Sequence, residues 1–579
     1  MSPTEKPATP SAAKPSPVEV FKVESQYLKG DIPAELLDEN DFFGKGSVQL
    51  LKHHGTYQQD DRDARAAAKA SGKGKAFMFM VRSKIPGGKL TSDQLLAQLD
   101  LCDELGNNTL RITTRQALQL HGIRKNKLKE TIARINEVQV STLGACGDVN
   151  RNVMCCPAPY ANNIHTTMQK LADDLAELLA PRTTAYHEIW LREEGSEEKQ
   201  LVGGGVDGHE IEPIYGTAYL PRKFKIGVAL PEDNCIDLYT HDLGFLAITE
   251  GDDVKGYNIL VGGGFGNTPS AKKTFPAVAK RMCFVTPEQA LDVAVAVVKV
   301  QRDFGNRTDR KVARLKYLIA DWGIEKFKAK VEEYYGQSLP EPNPADVTKQ
   351  EDHMGWEEQG DGKWFYGLNI ENGRLRDGDD LQLKAALRDI CKTIKPGIRL
   401  TAHQSLIFTD VEEKDKTAIE ETLQKYHVPL SHEISNTRRW SMACVAWPTC
   451  GLSITEAERA LPGMVDQLEV EIEKLGLSTE QFNLRMTGCP NGCARPYNPD
   501  IGLVGKAKGK YTVLLGGTQL GNRLNFIYKD LVPEEEVVSE LTQVFRYFKE
   551  SRTADESFGD FCHRKGKEDL LAWSEAENS

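Results

Sequence analysis

Four cysteines stand apart from the rest by their spacing. Cys444 and Cys450 form a C-x5-C pair, and Cys489 and Cys493 a C-x3-C pair within Thr487-Gly-Cys-Pro-Asn-Gly-Cys-Ala494. Four thiolates are the ligand set of an iron–sulfur cluster or of a structural zinc ion. Zinc pairs are usually tighter, with C-x2-C the common form, so the spacing leans toward iron–sulfur; zinc, or neither, stays open. Gly488, Pro490 and Gly492 bend the backbone around the thiols and add little bulk. Such a loop can turn amide N–H groups toward sulfur and tune a cluster's potential. The other eight of the twelve cysteines, Cys102, Cys146, Cys155, Cys156, Cys235, Cys283, Cys391 and Cys562, read as small core residues.

A second group is cationic. Across 111–121 the odd positions carry Arg111, Thr113, Arg115, Gln119 and His121, and the even ones are mostly apolar. Read as one strand, period two sends the polar set to a single face. By the same rule Arg82 leaves Phe77, Phe79 and Val81 on the opposite face, and Lys223 and Lys225 point together. One such strand alone reads as the solvated side of an antiparallel sheet. Several together predict a polyanionic ligand. The cations of 307–316 are expected on a helix and weigh less, because helical charge runs usually face solvent. Gly262-Gly-Gly-Phe-Gly266 follows an apolar strand and could cradle an anion. It lacks the dinucleotide spacing, and with no flavin or nicotinamide site in view, electrons would have to come from another protein.

The elements that hold these residues are duplicated. Arg111–His121 parallels Arg399–Thr409, Gly87-Gly-Lys-Leu90 parallels Asn372-Gly-Arg-Leu375, and Asn152–Cys155 parallels Ser441–Cys444. A helical pattern follows each, then Asp242-Leu-Gly parallels Asp500-Ile-Gly. The signals keep their order with a period near half the chain, a duplication rather than a solenoid. Pro340, Pro342 and Pro344 mark a linker at 337–352. Each half opens with strand, helix and strand, then passes into a larger lobe, so the class is α+β.

Composition narrows the function. The 579 residues carry 73 Lys+Arg against 84 Asp+Glu, a net charge of −11, which speaks against a general nucleic-acid binder. No apolar run reaches the ~18–20 residues of a membrane span, and no secretory core opens the chain, so a cytoplasmic protein is expected. Residues 1–19, with five prolines and no arginine, read as a disordered tail.

These motifs together resemble the sirohaem-dependent sulfite and nitrite reductase family from about residue 24 to 570. The resemblance also rests on His54-Gly-Thr-Tyr-Gln-Gln-Asp-Asp-Arg62, Asn150-Arg-Asn-Val153, Leu220-Pro-Arg-Lys-Phe-Lys225 and Cys444-Val-Ala-Trp-Pro-Thr-Cys450. It implies two pseudo-symmetric halves, each a ferredoxin-like unit (20–140 and 353–430) followed by a sirohaem- or cluster-binding lobe (141–336 and 431–579). It implies a [4Fe-4S] cluster on Cys444, Cys450, Cys489 and Cys493, with Cys493 also the axial ligand of sirohaem. Arg111, Thr113, Arg115, Gln119 and His121 match the sirohaem-contacting segment, and sirohaem's eight carboxylates would account for the cations. Arg82, Arg151, Lys223 and Lys225 match the residues around the substrate, and lysine at 225 favours sulfite over nitrite. Gly323–Phe327, Gln359–Gly362 and Cys493–Tyr497 look more like the branch served by ferredoxin than the one served by an NADPH-oxidising flavoprotein. An acidic ferredoxin needs a basic patch, with Arg124–Lys129 and 307–316 as candidates. Tyr57 invites comparison with a Tyr–Cys crosslink in some relatives, but an uncrosslinked core is the expectation. In the duplication Cys155 is matched to Cys444, and Pro221–Lys225 is expected where the second half has its cluster loop.

Overall fold

The computed structural model describes residues 14–72, 74–192, 199–204 and 212–577. Residues 1–13 of the expected tail lie outside these. The remainder of that segment is not a tail: a helix runs Pro17–Val23 and buries Glu19 and Lys22.

Among the described residues, four five-stranded sheets carry the fold, two in each half. The first small sheet has the order 56–60, 77–82, 118–123, 110–112, 374–375, and its counterpart 355–358, 364–368, 406–411, 397–400, 89–90. Each therefore ends on a strand lent by the other half. Arg374–Leu375 pairs with Leu110 and Arg111, and Lys89–Leu90 pairs with Ile398 and Arg399. The two lent strands are the paired Gly-Lys-Leu and Gly-Arg-Leu motifs of the sequence. Helices Ser92–Glu104 and Leu383–Thr393 pack on the sheets through Leu95, Leu99 and Cys102, and Leu387, Ile390 and Cys391. Thr91 and Gln94 cap the first of these reciprocally.

Residues 111–121 are not one strand. The chain turns at 113–117, closed by Thr113 N–H on the Ala117 carbonyl at 2.8 Å, with Gln116 in the left-handed region at φ 49°. The result is a hairpin of Leu110–Ile112 and Leu118–Ile123. Arg111 and Gln119 share a face because they are cross-strand partners, while Thr113 and Arg115 lie in the turn. The second half repeats the turn, with Gln404 at φ 66°.

The two lobe sheets share one topology. Met154–Cys155, Ile226–Ala229, Leu243–Glu250, Asp253–Val261 and Lys280–Val285 run in the same order and senses as Ser441–Ala443, Leu484–Thr487, Ile501–Ala507, Lys510–Leu515 and Phe526–Pro533. The register equates them residue by residue. Gly227 faces Gly244 as Arg485 faces Gly502, and Cys155 faces Val228 as Ala443 faces Met486. Cys156, not Cys155, is thus the counterpart of Cys444. Leu243 begins 14 residues after Ala229, and Ile501 14 residues after Thr487. The cluster loop's counterpart is therefore Leu230–Asp237 rather than Pro221–Lys225, and Cys235 occupies the position of Cys493. Identical supports confirm the match: Asp242 accepts from Lys225 N–H at 3.0 Å, and Asp500 from Asn483 N–H at 2.9 Å.

The inter-half segment is docked along the first lobe. Phe284 N–H reaches the Pro340 carbonyl, Thr348 N–H the Pro231 carbonyl, and Asn234 N–H the Lys349 carbonyl.

Candidate functional site

Two loops of the second lobe bring the four spaced cysteines together. Cys444 leaves the 441–443 strand, its N–H on the Met486 carbonyl at 3.0 Å, and Cys489 and Cys493 follow the 484–487 strand. Cys444 and Cys489 are buried, Cys450 is half-buried and Cys493 is exposed. Gly488 N–H points at Cys444 Sγ at 3.3 Å, and the Asn491 amide at Cys489 Sγ at 3.3 Å. Burial and then the neighbouring thiols hold Cys444 and Cys450 above the usual thiol range and push Cys489 to about 11. Thiols that oppose each other's ionisation are relieved by a cationic metal centre, so the donor set fits a cluster. Arg62 clasps this loop from the first half, donating to the carbonyls of Cys450, Gly451 and Ser453 at 3.3–3.4 Å and lying 5.5 Å over the Trp447 ring.

The cations gather on the facing side. Arg82, Gln119, Arg111 and Arg374 are successive cross-strand partners and form one row. His121 is 1% exposed, and neither ring nitrogen has a partner among the described residues. Burial, then Arg374, Arg111 and Arg82, hold it neutral. Arg115 is brought down to about 9 by burial and by Arg151 and Arg495. Burial and neighbouring cations hold Lys223 and Lys225 well below the ordinary lysine range, Arg222 and Arg151 acting on the first, Arg115 and Lys223 on the second. Arg151 donates to Tyr57 Oη at 3.5 Å, and Arg82 to Cys146 Sγ at 3.2 Å. Such a density of opposed positive charge, with unpartnered polar atoms among it, fits a polyanionic group such as sirohaem. Thr114 Oγ1 donates to the Cys493 carbonyl at 3.0 Å, tying the hairpin turn to the cluster loop.

Other sequence expectations are corrected. The Gly262–Gly266 loop spends amides internally, Gly262, Gly263 and Gly264 N–H on the Asp242, His241 and Ala277 carbonyls, while the Gly264 and Gly266 carbonyls each accept from the buried Lys316 Nζ at 2.9 Å. Residues 307–316 make only a short turn before the Leu315–Trp322 helix, and their arginines are paired internally. Arg307 binds Glu19, Arg310 meets Asp148 at 2.7 Å, and Arg314 meets Asp242 at 2.6 Å. In Arg124–Lys129, Lys125 is buried on Asp38 at 2.5 Å and Lys127 pairs with Glu130. The arginines of 307–316 are thus not free, whereas Arg124 and Lys129 stay exposed beside these pairs.

The sequence reading passed over several positioning residues. Gln116 is fully buried and donates to the Cys155 carbonyl at 2.8 Å and the Leu400 carbonyl at 3.0 Å. Asn152 ties Ile85 to the hairpin turn, donating to the Ile85 and Arg115 carbonyls at 2.7 and 2.9 Å. Glu458 receives both Arg111 and Arg374. Arg62 and Asn152 left a trace only as members of the His54–Arg62 and Asn150–Val153 motifs, and Gln116 only as part of the Arg111–His121 repeat.

Four thiols whose placement fits a cluster, beside a buried cationic group in a duplicated chain, point to the class of iron–sulfur oxidoreductases. The chain belongs to the nitrite and sulfite reductase family. The nitrite and sulphite reductase 4Fe-4S domain matches residues 146–339 and 435–579, and the ferredoxin-like half domain residues 71–138 and 357–426. The family depends on sirohaem and a [4Fe-4S] cluster. The chain is 43% identical to the sulfite reductase [NADPH] hemoprotein beta-component of Bacillus licheniformis, over 95% of this chain and 96% of that protein. It is 43% identical to the sulfite reductase [ferredoxin] of Synechococcus elongatus, over 100% of this chain and 93% of that one. The NirA protein of Mycobacterium tuberculosis shares the fold, with TM-score 0.76 at 24% identity over 95% of each chain. No helix among the described residues is long and apolar enough to cross a membrane.

Proposed function

We propose that the chain is a cytoplasmic sulfite reductase, taking sulfite to sulfide in a six-electron reduction with ferredoxin as donor. The observation that carries this reading is the position of Cys493. It is the exposed thiol of the four, and its carbonyl accepts from Thr114 Oγ1 at 3.0 Å, in the hairpin turn that carries Thr113 and Arg115.

In this reading Cys444, Cys450, Cys489 and Cys493 would hold the [4Fe-4S] cluster, and Cys493 would also hold sirohaem. Arg111, Thr113, Arg115, Gln119 and His121 hold the sirohaem periphery. Sirohaem and cluster, when bound, supply the electrons and the iron that accepts the substrate. The protein's part is charge and protons. The Arg82 and Arg151 guanidiniums hold a dianion against the repulsion that added electrons bring. Lys223 Nζ and Lys225 Nζ, whose hold on a proton is weakened by burial and neighbouring cations, act as proton donors as sulfur–oxygen bonds break. Lys225 favours sulfite over nitrite.

Ferredoxin is preferred for the three short segments that resemble the ferredoxin-served branch. An NADPH-oxidising flavoprotein is the second reading, favoured by the name of the B. licheniformis relative. The test is sulfide release by the purified holoenzyme with reduced ferredoxin as sole donor, nitrite in parallel. Fast sulfide formation supports both parts. Turnover with an artificial reductant but not with ferredoxin retains the sulfite reading and overturns the donor. Nitrite reduction without sulfide overturns the substrate.

A further inference from the structure

The first lobe holds a second group of metal-ligand side chains, apart from the four cysteines above. Cys156, Asp233, Cys235 and His353 are each at most 7% exposed, and one donor atom from each lies within 4.8 Å of all the others. Cys156 Sγ is 2.8 Å from Asp233 Oδ2 and 3.7 Å from His353 Nε2, and His353 Nε2 is 3.0 Å from Asp233 Oδ2. We infer that Cys156, Cys235, His353 and Asp233 form a mononuclear transition-metal site, with zinc as its ion.

The donor set fits. Two thiols, an imidazole and a carboxylate make a closed tetrahedral zinc site, with no open position for substrate. Around such an ion the ligand atoms stand about 3.3–3.8 Å apart, so the observed contacts need to move by less than ~1 Å. Zinc binding would displace the two thiol protons and leave the carboxylate charged. The surroundings are built for the purpose. Asp233 Oδ1 accepts two backbone N–H groups, Cys235 at 3.0 Å and Glu351 at 3.2 Å, which orients Oδ2 toward the thiol and the imidazole. His353 is delivered from the inter-half segment in the left-handed region, at φ 58°. Its carbonyl lies so close to Gly367 that a Cβ there would stand 1.7 Å away. Such a conformation persists only where the surroundings fix it.

The position of the group strengthens the reading. In the lobe register Cys156 stands where Cys444 does and Cys235 where Cys493 does. The first lobe thus keeps two of the four thiols of the duplicated metal site. Cys489 is replaced by Pro231, and Asp233 and His353 complete a smaller ligand set. The ion would bind the inter-half segment to two loops of the first lobe, a staple rather than a catalyst. This inference is independent of the substrate and donor proposed above.

The test uses the full-length holoprotein, purified without metal-affinity steps and analysed for metals by plasma mass spectrometry. About one zinc per chain is expected beyond the cofactor iron, with zinc-edge fine structure showing two sulfurs near ~2.3 Å and two lighter atoms near ~2.0 Å. Cys235→Ser and His353→Gln should each bring zinc below about a tenth per chain while the visible cofactor spectrum stays unchanged. A four-sulfur zinc shell would place the ion in the cluster site and overturn the inference. So would zinc below about a tenth per wild-type chain after incubation with zinc salt, or a Cys156–Cys235 disulfide in the native protein. Should a variant fail to fold, the wild-type zinc content and edge spectrum still decide.

Discussion

Arg495 and Asp237 occupy equivalent positions in the two lobes and touch each other, Nε of one 2.5 Å from Oδ2 of the other. Their backbones match as well, at φ 54° and 53°. The duplication thus meets itself at an ion pair of opposite charges. Asp237 is fully buried and also meets Arg485 at 2.8 Å.

Breaking this contact is expected to be costly. Asp237→Asn leaves two buried guanidiniums short of charge, and removing one partner of a buried pair costs about 3–5 kcal/mol. The two arginines outweigh burial and hold Asp237 at about 2, below its unfolded value near 4. Its contribution is therefore present above pH ~4 and lost as pH falls through ~2. Denaturant midpoints from pH 7 to 2 should show wild type and variant converging at the acid end.

Asp500, the counterpart of Asp242, behaves in the opposite sense. Burial raises it to about 7, although it accepts two backbone N–H groups. A folded-state pKa above the unfolded one gives stability that is complete below pH ~4 and lost as pH rises through ~7. Asp500→Asn should remove that slope from the stability profile, whatever it does to the absolute value. An unchanged slope between pH 4 and 7 would refute the assignment.

Gln116→Leu should destabilise the junction between halves. The amide bridges backbone groups of the first lobe and the second small sheet, and each buried group left unpaired costs about 1–3 kcal/mol. Gln404→Leu should cost less, since its amide makes a single bond among the described residues, to the Asn372 carbonyl at 3.1 Å. Denaturant midpoints of the two variants test the order.

Gly488→Ala should block cluster assembly. A Cβ at 488 would lie 2.1 Å from Ser453 Oγ and 2.5 Å from the Thr455 carbonyl, forcing apart the loops that carry Cys450 and Cys489. Iron per chain is the readout, with far-UV circular dichroism to show that the fold remains. Normal iron content would sink the argument.

Lys225→Asn should raise the nitrite-to-sulfite ratio of kcat/KM by at least about tenfold, ~1.4 kcal/mol of differential transition-state stabilisation. The equivalent position of the second half already carries asparagine, Asn483, on the same aspartate support, so the backbone accepts the change.

The repeat was readable because both halves keep small motifs at places where the backbone leaves no choice. Gly87 and Asn372 both sit in the left-handed region ahead of the lent strands. The pairing of Arg111 with Gln119 was readable only by coincidence of parity. A hairpin with an odd turn puts the same residues on one face as a continuous strand does, and the left-handed Gln116 that makes the turn carries no glycine to announce it. The match of Cys444 slipped by one because identical residue types attract an alignment, whereas the register is set by Asp242 and Asp500. The arginines of 307–316 looked free because Glu19 and Asp148, their partners, lie far away in the chain. A one-dimensional reading sees charge runs and not the contacts that neutralise them. The group at Cys156 was invisible for the same reason, its four members being spread over 198 positions, from 156 to 353.

The exchanged edge strands bear on how the protein is made. The first small sheet borrows Arg374–Leu375, so its outer strand stays unpaired until the ribosome has passed residue 375. Until then the nascent first half exposes the backbone edge of Leu110–Ile112, a surface that invites strand addition from another chain. The arrangement is that of a two-fold dimer whose partners trade strands, here drawn into a single polypeptide. Synthesis from one message delivers both partners in equal number and in reach of each other.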